Sequence, residues 1–357
     1  MHVDIEVVRA LQSRLEQVDF DNLTFGRFFS DHMFIADYRQ GAWQSPRIVP
    51  FGPIEISPSL SSLHYGQAIF EGLKAFRSED GTINLFRPEK HQERFNRSAE
   101  RLAIPPVNRE LFMDAVLGLC RIDRAWVPKK AGSSLYIRPF IFAADSFLGV
   151  HAAETYLFMV ITSPVGAYYK EGLNPVRLIT SGEYARAVKG GLGEAKTPAN
   201  YAASLLPAEE AEQKGFTQVL WLDAVERRYV EEVGTMNIMF FIDGELVTPP
   251  LDGSILGGIT RYTVLELARH WGVPVRERRI AIDEVLARAR DGGLRECFGT
   301  GTAAVISPVG WISHGGDLIT IHEGRIGEFS QKLYDKITGV QYGQRPDPFG
   351  WLYPIEA

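Results

Sequence analysis

The strings SLYIRPFIFA (Ser134–Ala143) and TYLFMVITS (Thr155–Ser163), followed by PVGAYYKEGLNP (Pro164–Pro175), decide how this chain is organised. The first two are dense in aromatic and β-branched residues and read as strands. The third carries Gly, Tyr and Pro without periodicity and reads as a connection. The expected division is therefore a small N-terminal α+β domain over residues 1–163, an interdomain linker over 164–175 and a larger C-terminal α+β domain over 176–357. A chain of 357 residues also favours two domains, being too long for one small core.

Working outward, Met33 to Pro58 mixes apolar and polar residues with Gly and Pro punctuation, as hairpins do. Ile83 to Phe86 reads as a short strand after the turn Glu79-Asp80-Gly81. Pro88 to Leu102 has a helical composition with Pro at its head, and Arg109 to Val127 repeats the helical period. Beyond the linker, strands are expected at Val176–Thr180, Gln218–Trp221 and Met236–Ile242, and helices at Asn200–Lys214, Thr260–Trp271 and Ile282–Arg290. The fold class is α+β in both halves. Met1 to Phe20 alternates charge with aliphatic residues and reads as an amphipathic helix rather than a leader peptide.

Composition narrows the function. A hydrophobic share of 45% with 23% charged residues is that of a globular protein. The net charge of −6 provides no basic face for nucleic acid or an anionic membrane, so neither is an expected partner. The most apolar window, Tyr156 to Val165, is too short to cross a bilayer. Cys120 and Cys297 are the only cysteines, which excludes a disulfide framework and points to the cytoplasm. No histidine or cysteine spacing suits a metal, and no P-loop, dinucleotide fingerprint or nucleophile elbow is present.

Five segments can carry chemistry. Lys196 lies in KGGLGEAKTPANY (Lys189–Tyr201), where glycines allow close backbone approach and Tyr201 supplies a phenol; taken alone, it reads as a surface lysine in a flexible loop, and only its context overturns that. An amine that must attack a carbonyl has to be neutral, which a pocket or a nearby cation arranges. Glu232, just before an apolar strand, can hold a ring nitrogen protonated or can be a solvated strand-end residue. Gly257-Gly258-Ile259-Thr260 opens a helical run and offers N–H groups to a phosphate, as does the small-residue loop Gly299–Ala304; plain turns look the same. Arg94 and Arg97, three apart, share a helix face from which one can reach a phosphate.

Taken together these segments resemble the branched-chain amino acid aminotransferases of the fold-type-IV pyridoxal-phosphate enzymes, from about Phe25 to Gly343. The most telling stretches are Leu63-His64-Tyr65 with FEGLKAFR (Phe70–Arg77), SLYIRP (Ser134–Pro139), the Lys196 loop, EVGTMN (Glu232–Asn237) and FGTGTA (Phe298–Ala303). The resemblance implies a two-domain, D-amino-acid-aminotransferase-like architecture with pyridoxal 5'-phosphate as cofactor. Lys196 would form the Schiff base with it, Tyr201 would bond its ring hydroxyl, and Glu232 would pair with its nitrogen. Arg94, the backbone of Ile259 and Thr260, and Thr302 would bind the phosphate, and Arg186 would stand beside them; Arg97 has no such role. An apolar substrate pocket would come from Phe25, Tyr65, Phe70, Tyr136, Leu148 and Val150. Thr235 and the Ala303 backbone would lie near the substrate carboxylate, and Arg138 near an acidic side chain. Tyr65, Leu148 and Val150 would be lent by a neighbouring subunit, making a homodimer the working form.

The implied reaction is reversible amino transfer between L-leucine, L-isoleucine or L-valine and 2-oxoglutarate, in two half-reactions. A D-amino acid aminotransferase or an aminodeoxychorismate lyase would keep the lysine and glutamate but differ at Tyr136-Ile137-Arg138 and Phe70-Glu71-Gly72. A non-catalytic protein that only stores the cofactor would not need the pocket residues. Two departures from the family stand out. Pro198-Ala199 replaces a Gly-Gly pair after the lysine and stiffens the loop, and Ala304 and Ser307 occupy the positions of a redox cysteine pair found in some animal relatives.

Overall fold

Buried and half-buried side chains alternate along Ser134–Ala143, so this strand lays one face on a core and turns the other away. It belongs to a computed structural model that describes residues 3–166 and 173–356. The elements of the N-terminal part are β1 (Glu6–Val7), β2 (His32–Arg39), β3 (Ala42–Pro50), α1 (Ser61–Tyr65), β4 (Ala68–Phe70), β5 (Leu73–Arg77), β6 (Ile83–Phe86), α2 (Pro88–Arg101), α3 (Arg109–Ile122), β7 (Ser134–Ala143) and β8 (Tyr156–Val165). Their sheet runs β1-β3-β2-β8-β7-β5-β6, with β4 also on β7. All pairings are antiparallel except β1 with β3.

One face of this sheet carries the main core. Phe95 of α2, Phe112 of α3 and Phe158 of β8 are fully buried there, with ring centroids 5.5–6.3 Å apart. Pro88 begins α2, where its missing N–H costs nothing. Asn108 caps α3 by accepting a hydrogen bond from the Leu111 amide at 2.7 Å. The opposite face is apolar at one end, around Met33, Ile35, Met159 and Phe140. At its other end stand Tyr136 and Arg138.

The remaining elements are β9 (Val176–Thr180), α4 (Pro198–Ala202), α5 (Leu205–Gln213), β10 (Gln218–Leu222), β11 (Val230–Val233), β12 (Met236–Ile242), β13 (Glu245–Thr248), α6 (Ile259–His270), β14 (Val275–Glu277), α7 (Ile282–Arg290), β15 (Leu294–Gly301), β16 (Val305–His314), β17 (Asp317–Thr320), α8 (Glu328–Gln341) and β18 (Leu352–Ile355). The second sheet runs β11-β10-β9-β16-β15-β12-β13-β14, and an extra pairing of β11 with β12 closes six of its strands into a ring. Glu232 sits in that closing strand, opposite Trp221 on one side and Asn237 on the other.

The chain divides into two units, residues 1–170, 195–198 and 339–357 forming one and residues 171–194 and 199–338 the other. A single cut at a linker misses two of these pieces. β18 returns to pair with β6, which draws the C-terminal segment into the first unit. The tetrapeptide Ala195–Pro198 joins it through hydrogen bonds to α2 and β4. Of the linker expected over 164–175, residues 167–172 lie outside the described residues, and Pro164 and Val165 are the end of β8.

The N-terminal helix is corrected. Among residues 3–20 the chain forms only β1 and a 3-10 turn at Leu15–Gln17. Its polar groups are claimed elsewhere: the Ala10 amide donates to His32 Nε2 at 2.9 Å and the Arg14 amide to Asp31 Oδ1 at 2.8 Å. The helix expected over Asn200–Lys214 is two short helices, α4 and α5, the first opened by Pro198.

Candidate active site

Lys196 is fixed through its backbone. Its amide donates to Ser98 Oγ on α2 at 2.9 Å, and its carbonyl accepts from the Phe70 amide on β4 at 3.0 Å. Thr197 Oγ1 donates to the Ala68 carbonyl at 2.9 Å. Three bonds on this dipeptide explain why Ala195–Pro198 belongs to the first unit. They also aim the side chain: Lys196 Nζ lies 4.8 Å from the centroid of the Phe70 ring.

The same ring carries a second cation. Arg138 Cζ is 4.6 Å from the Phe70 centroid and 5.3 Å from that of Tyr136, and its Nη2 donates to the Tyr136 phenol at 3.0 Å. Phe25 meets Tyr136 edge-on at 4.9 Å. The phenol occupies space beside Gly72, where any Cβ would collide with it. Phe25, Phe70, Tyr136, Arg138 and Lys196 are thus neighbours in one unit.

Glu71 turns to the other face and is completely buried. Arg94 grips both its oxygens, Nε to Oε1 at 2.7 Å and Nη2 to Oε2 at 2.8 Å, and His91 Nδ1 adds a bond to Oε2 at 2.8 Å. Burial opposes ionisation of this carboxyl. The charge and hydrogen bonds of Arg94, with those of His91, outweigh burial and hold Glu71 well below the ordinary carboxylate range. Burial lowers His91, and although Glu71 opposes this, the cations Arg94 and Lys196 add to the lowering. Sequence reasoning named Arg94 but missed Glu71. The signal was a carboxylate inside an apolar run, which has to find a cation when buried. Arg97 is exposed while Arg94 is buried, so the expectation of a shared face is corrected: Arg94 stands at the edge of the buried stripe of α2, and Arg97, about 60° further round the helix, falls outside it.

In the second unit Glu232 is buried on β11. Its Oε1 accepts from Asn237 Nδ2 at 2.9 Å and from the Leu256 amide at 3.2 Å, and its Oε2 faces Arg186 Nε at 2.6 Å. Arg186 is further tied to the carbonyls of Gly193 and Ser254. The Leu256 carbonyl accepts from Asn237 in return, at 2.7 Å. Loop 254–258 is therefore pinned before it enters α6, whose N-cap is Gly258, pressed so closely on Asn237 Oδ1 that no Cβ fits. No side chain caps α6, and Ile259 and Thr260 sit in its first turn. Asn237 and Leu256 went unnoticed in the sequence because their role is to orient Glu232.

Thr235 is exposed in the turn from β11 to β12, and Thr302 and Ala303 are half-buried in the turn from β15 to β16. Next to that turn, Thr300 Oγ1 is buried without a hydrogen-bond partner. Tyr201 lies half-buried in α4, one turn after Pro198, and the neighbouring Asn200 donates to the Leu192 carbonyl at 2.8 Å. Tyr65, Leu148 and Val150 stand apart from these groups, at 44%, 60% and 86% exposure. They flank a bridge between Leu60 and Ser146 on the surface of the first unit. Among the described residues no cluster of His, Cys, Asp and Glu is arranged to hold a metal, and no helix is long and apolar enough to cross a membrane.

Residues 68–312 match the family model described as amino-transferase class IV. Branched-chain-amino-acid aminotransferase 2 of Bacillus subtilis is 52% identical over 351 residues, covering 98% of this chain and 97% of that one. The branched-chain-amino-acid aminotransferase of Mycobacterium tuberculosis is 48% identical over 92% of this chain and 91% of its own length. In solved structures, the branched-chain aminotransferase of Escherichia coli superposes with a TM-score of 0.76 at 28% identity, covering 91% of this chain and 99% of that one. That of the thermophilic archaeon Thermoproteus uzoniensis, solved with norvaline, gives 0.75 at 27% identity, over 91% of this chain and 100% of that one. The chain belongs to the branched-chain aminotransferases of the amino-transferase class IV family.

Proposed function

We infer that the chain catalyses reversible transfer of an amino group between L-leucine, L-isoleucine or L-valine and 2-oxoglutarate, with pyridoxal 5'-phosphate as cofactor. The observation that carries this reading is the near full-length identity of 52% to a curated branched-chain aminotransferase. The donor set suits the cofactor: an amine, a buried carboxylate held by an arginine, uncapped helix N–H groups, and an unpartnered threonine hydroxyl beside the Thr302 turn.

When bound, pyridoxal phosphate supplies an electron sink for the carbanion at the substrate Cα. Lys196 is the residue we assign to hold it, and its Nζ would carry the proton taken from the substrate Cα. Glu232, oriented by Arg186, Asn237 and the Leu256 amide, keeps the ring nitrogen protonated. Tyr201 bonds the ring hydroxyl. Arg94, the Ile259 and Thr260 amides and Thr302 take the phosphate. Phe25, Phe70 and Tyr136 exclude water from the branched chain, Arg138 meets an acidic side chain, and Thr235 and the Ala303 amide serve the substrate carboxylate.

The working form we propose is a homodimer in which Tyr65, Leu148 and Val150 of one subunit complete the pocket of the other; their exposure supports this. Two buried free cysteines support a cytoplasmic setting. The test is the absorbance spectrum of the purified protein with pyridoxal phosphate, before and after L-leucine and then 2-oxoglutarate. The cofactor band should shift with L-leucine and return with 2-oxoglutarate. A shift with D-alanine alone assigns the chain to a D-amino acid aminotransferase instead, and no cofactor band defeats the reading.

A further inference from the structure

Glu231, beside Glu232 on β11, has no role in the assignments above, yet it is only 9% exposed. In an even strand the two side chains would point to opposite faces. Here Trp221 of β10 pairs with Glu232 and Leu222 pairs with Val230, so Glu231 is an extra residue in β11, a β-bulge of the kind that re-aims side chains. The two carboxyl groups accordingly reach partners joined through one guanidinium. Arg186 Nε lies 2.6 Å from Glu232 Oε2, and Arg186 Nη2 donates to the Ser254 carbonyl. Ser254 Oγ in turn donates to Glu231 Oε1 at 2.5 Å. Glu231 Oε2 is buried without a hydrogen-bond partner among the described residues. Burial raises the Glu231 carboxyl above its ordinary value, and Asp223 and Asp252 add to the rise against the opposing effect of Ser254 and Arg186.

We propose that Glu231 is a positioning residue for Glu232: seated on Ser254 Oγ, it holds the Ser254 carbonyl on Arg186 and leaves the guanidinium charge to Glu232. The inference rests on the transaminase reading and deepens it. One cation stands near two carboxyl groups, and if both were ionised they would divide its charge. A protonated Glu231 still accepts from Ser254 on Oε1 and makes no claim on Arg186, and an unpaired hydroxyl costs less in burial than an unpaired charge. Glu232 then keeps the negative charge that a protonated ring nitrogen requires of its partner. The same contact fixes the head of loop 254–258, whose Leu256 amide donates to Glu232 Oε1 at 3.2 Å. Glu231 therefore acts on both oxygens of Glu232, in each case through another group.

The experiment loads the full-length protein with pyridoxal phosphate and, separately, with the analogue in which CH replaces the ring nitrogen. The ratio of the two Kd values reads what Glu232 gains from that nitrogen, whereas a general loosening of the site moves both values together. In Glu231→Ala and in Ser254→Ala the preference for pyridoxal phosphate should fall about tenfold, the scale of a lost hydrogen bond to a charged group, toward that of Glu232→Gln. Glu231→Gln, which keeps a neutral acceptor for Ser254, should hold the wild-type ratio. In the two alanine variants kcat for L-leucine should fall with the ratio while KM stays. An unchanged ratio in whichever alanine variant folds, or a fall in Glu231→Gln equal to that in Glu231→Ala, overturns the proposal. Wild-type protein that binds neither compound, or that gives no spectral change with L-leucine, would instead break the transaminase reading.

Discussion

Each unit of the molecule buries a carboxylate against a buried arginine, Glu71 against Arg94 and Glu232 against Arg186, and these two pairs are built differently. Glu71 has both oxygens gripped by Arg94, a bond from His91 and another from the Gly72 amide at 3.1 Å. Glu232 has one oxygen set by Asn237 and Leu256, while the other lies 2.6 Å from Arg186 Nε. The first is closed on itself and anchors an arginine between a strand and a helix. The second is held at one edge by neutral amides, an arrangement that fixes direction with less charge. Identical side chains in similar burial therefore serve as a clamp in one unit and, in our reading, as a ring-nitrogen partner in the other.

The largest effect that separates them is on stability. Glu71→Gln leaves Arg94 buried without its counter-charge and should cost about 3–5 kcal/mol, read from urea unfolding at neutral pH. The sign with pH follows from the depressed pKa of Glu71. The stabilisation is complete above the unfolded carboxylate value of about 4.3 and is lost as pH falls from there toward the lower folded value. The gap between wild type and variant should accordingly narrow under acid. A gap that widened would place the ionised clamp elsewhere.

Glu232→Gln should act mainly on turnover, lowering kcat for L-leucine by about a hundredfold, the scale for removing one preorganised electrostatic partner. Its unfolding free energy should change less than that of Glu71→Gln. The reverse ranking, stability lost more at Glu232 and activity more at Glu71, would exchange the two roles. A smaller effect is expected at Gly72→Ala, where the new methyl displaces the Tyr136 phenol and with it the hydrogen bond from Arg138. Displacement of a positioning group should lower kcat/KM about tenfold, with little change in the far-ultraviolet circular dichroism. The smallest expected effect is at the cysteines. Burial pushes the thiols of Cys120 and Cys297 far above their usual value, so neither should react with a thiol reagent in the native state, and activity should be unchanged by mild oxidation.

Much of this was legible in the sequence where local pattern and final environment agree. Ser134–Ala143 and Ile282–Arg290 form the expected strand and helix with the expected ends, because alternation in one and an amphipathic stripe with Asp283, Glu284 first and Arg288, Arg290 last in the other need no distant partner. The N-terminal residues read as a helix and are not one, because Asp31 and His32, far along the chain, take their amides. β18 was invisible, since its partner β6 is distant in sequence. Among site residues, Lys196, Arg94 and Glu232 were named from motifs. The groups that orient them, Ser98, Glu71, Asn237 and Leu256, are ordinary residue types whose meaning comes from position.

The first unit holds two amines near one sheet, Lys196 beside Phe70 and Lys74 opposite Tyr136 in register, of which we assign the cofactor to Lys196. Borohydride reduction of the pyridoxal-phosphate-loaded protein, followed by peptide mass mapping, decides between them. One phosphopyridoxyl adduct is expected, on the peptide containing Lys196, and none in a Lys196→Ala variant that remains folded. An adduct on Lys74, or on any lysine outside the Lys189–Tyr201 loop, would contradict the assignment.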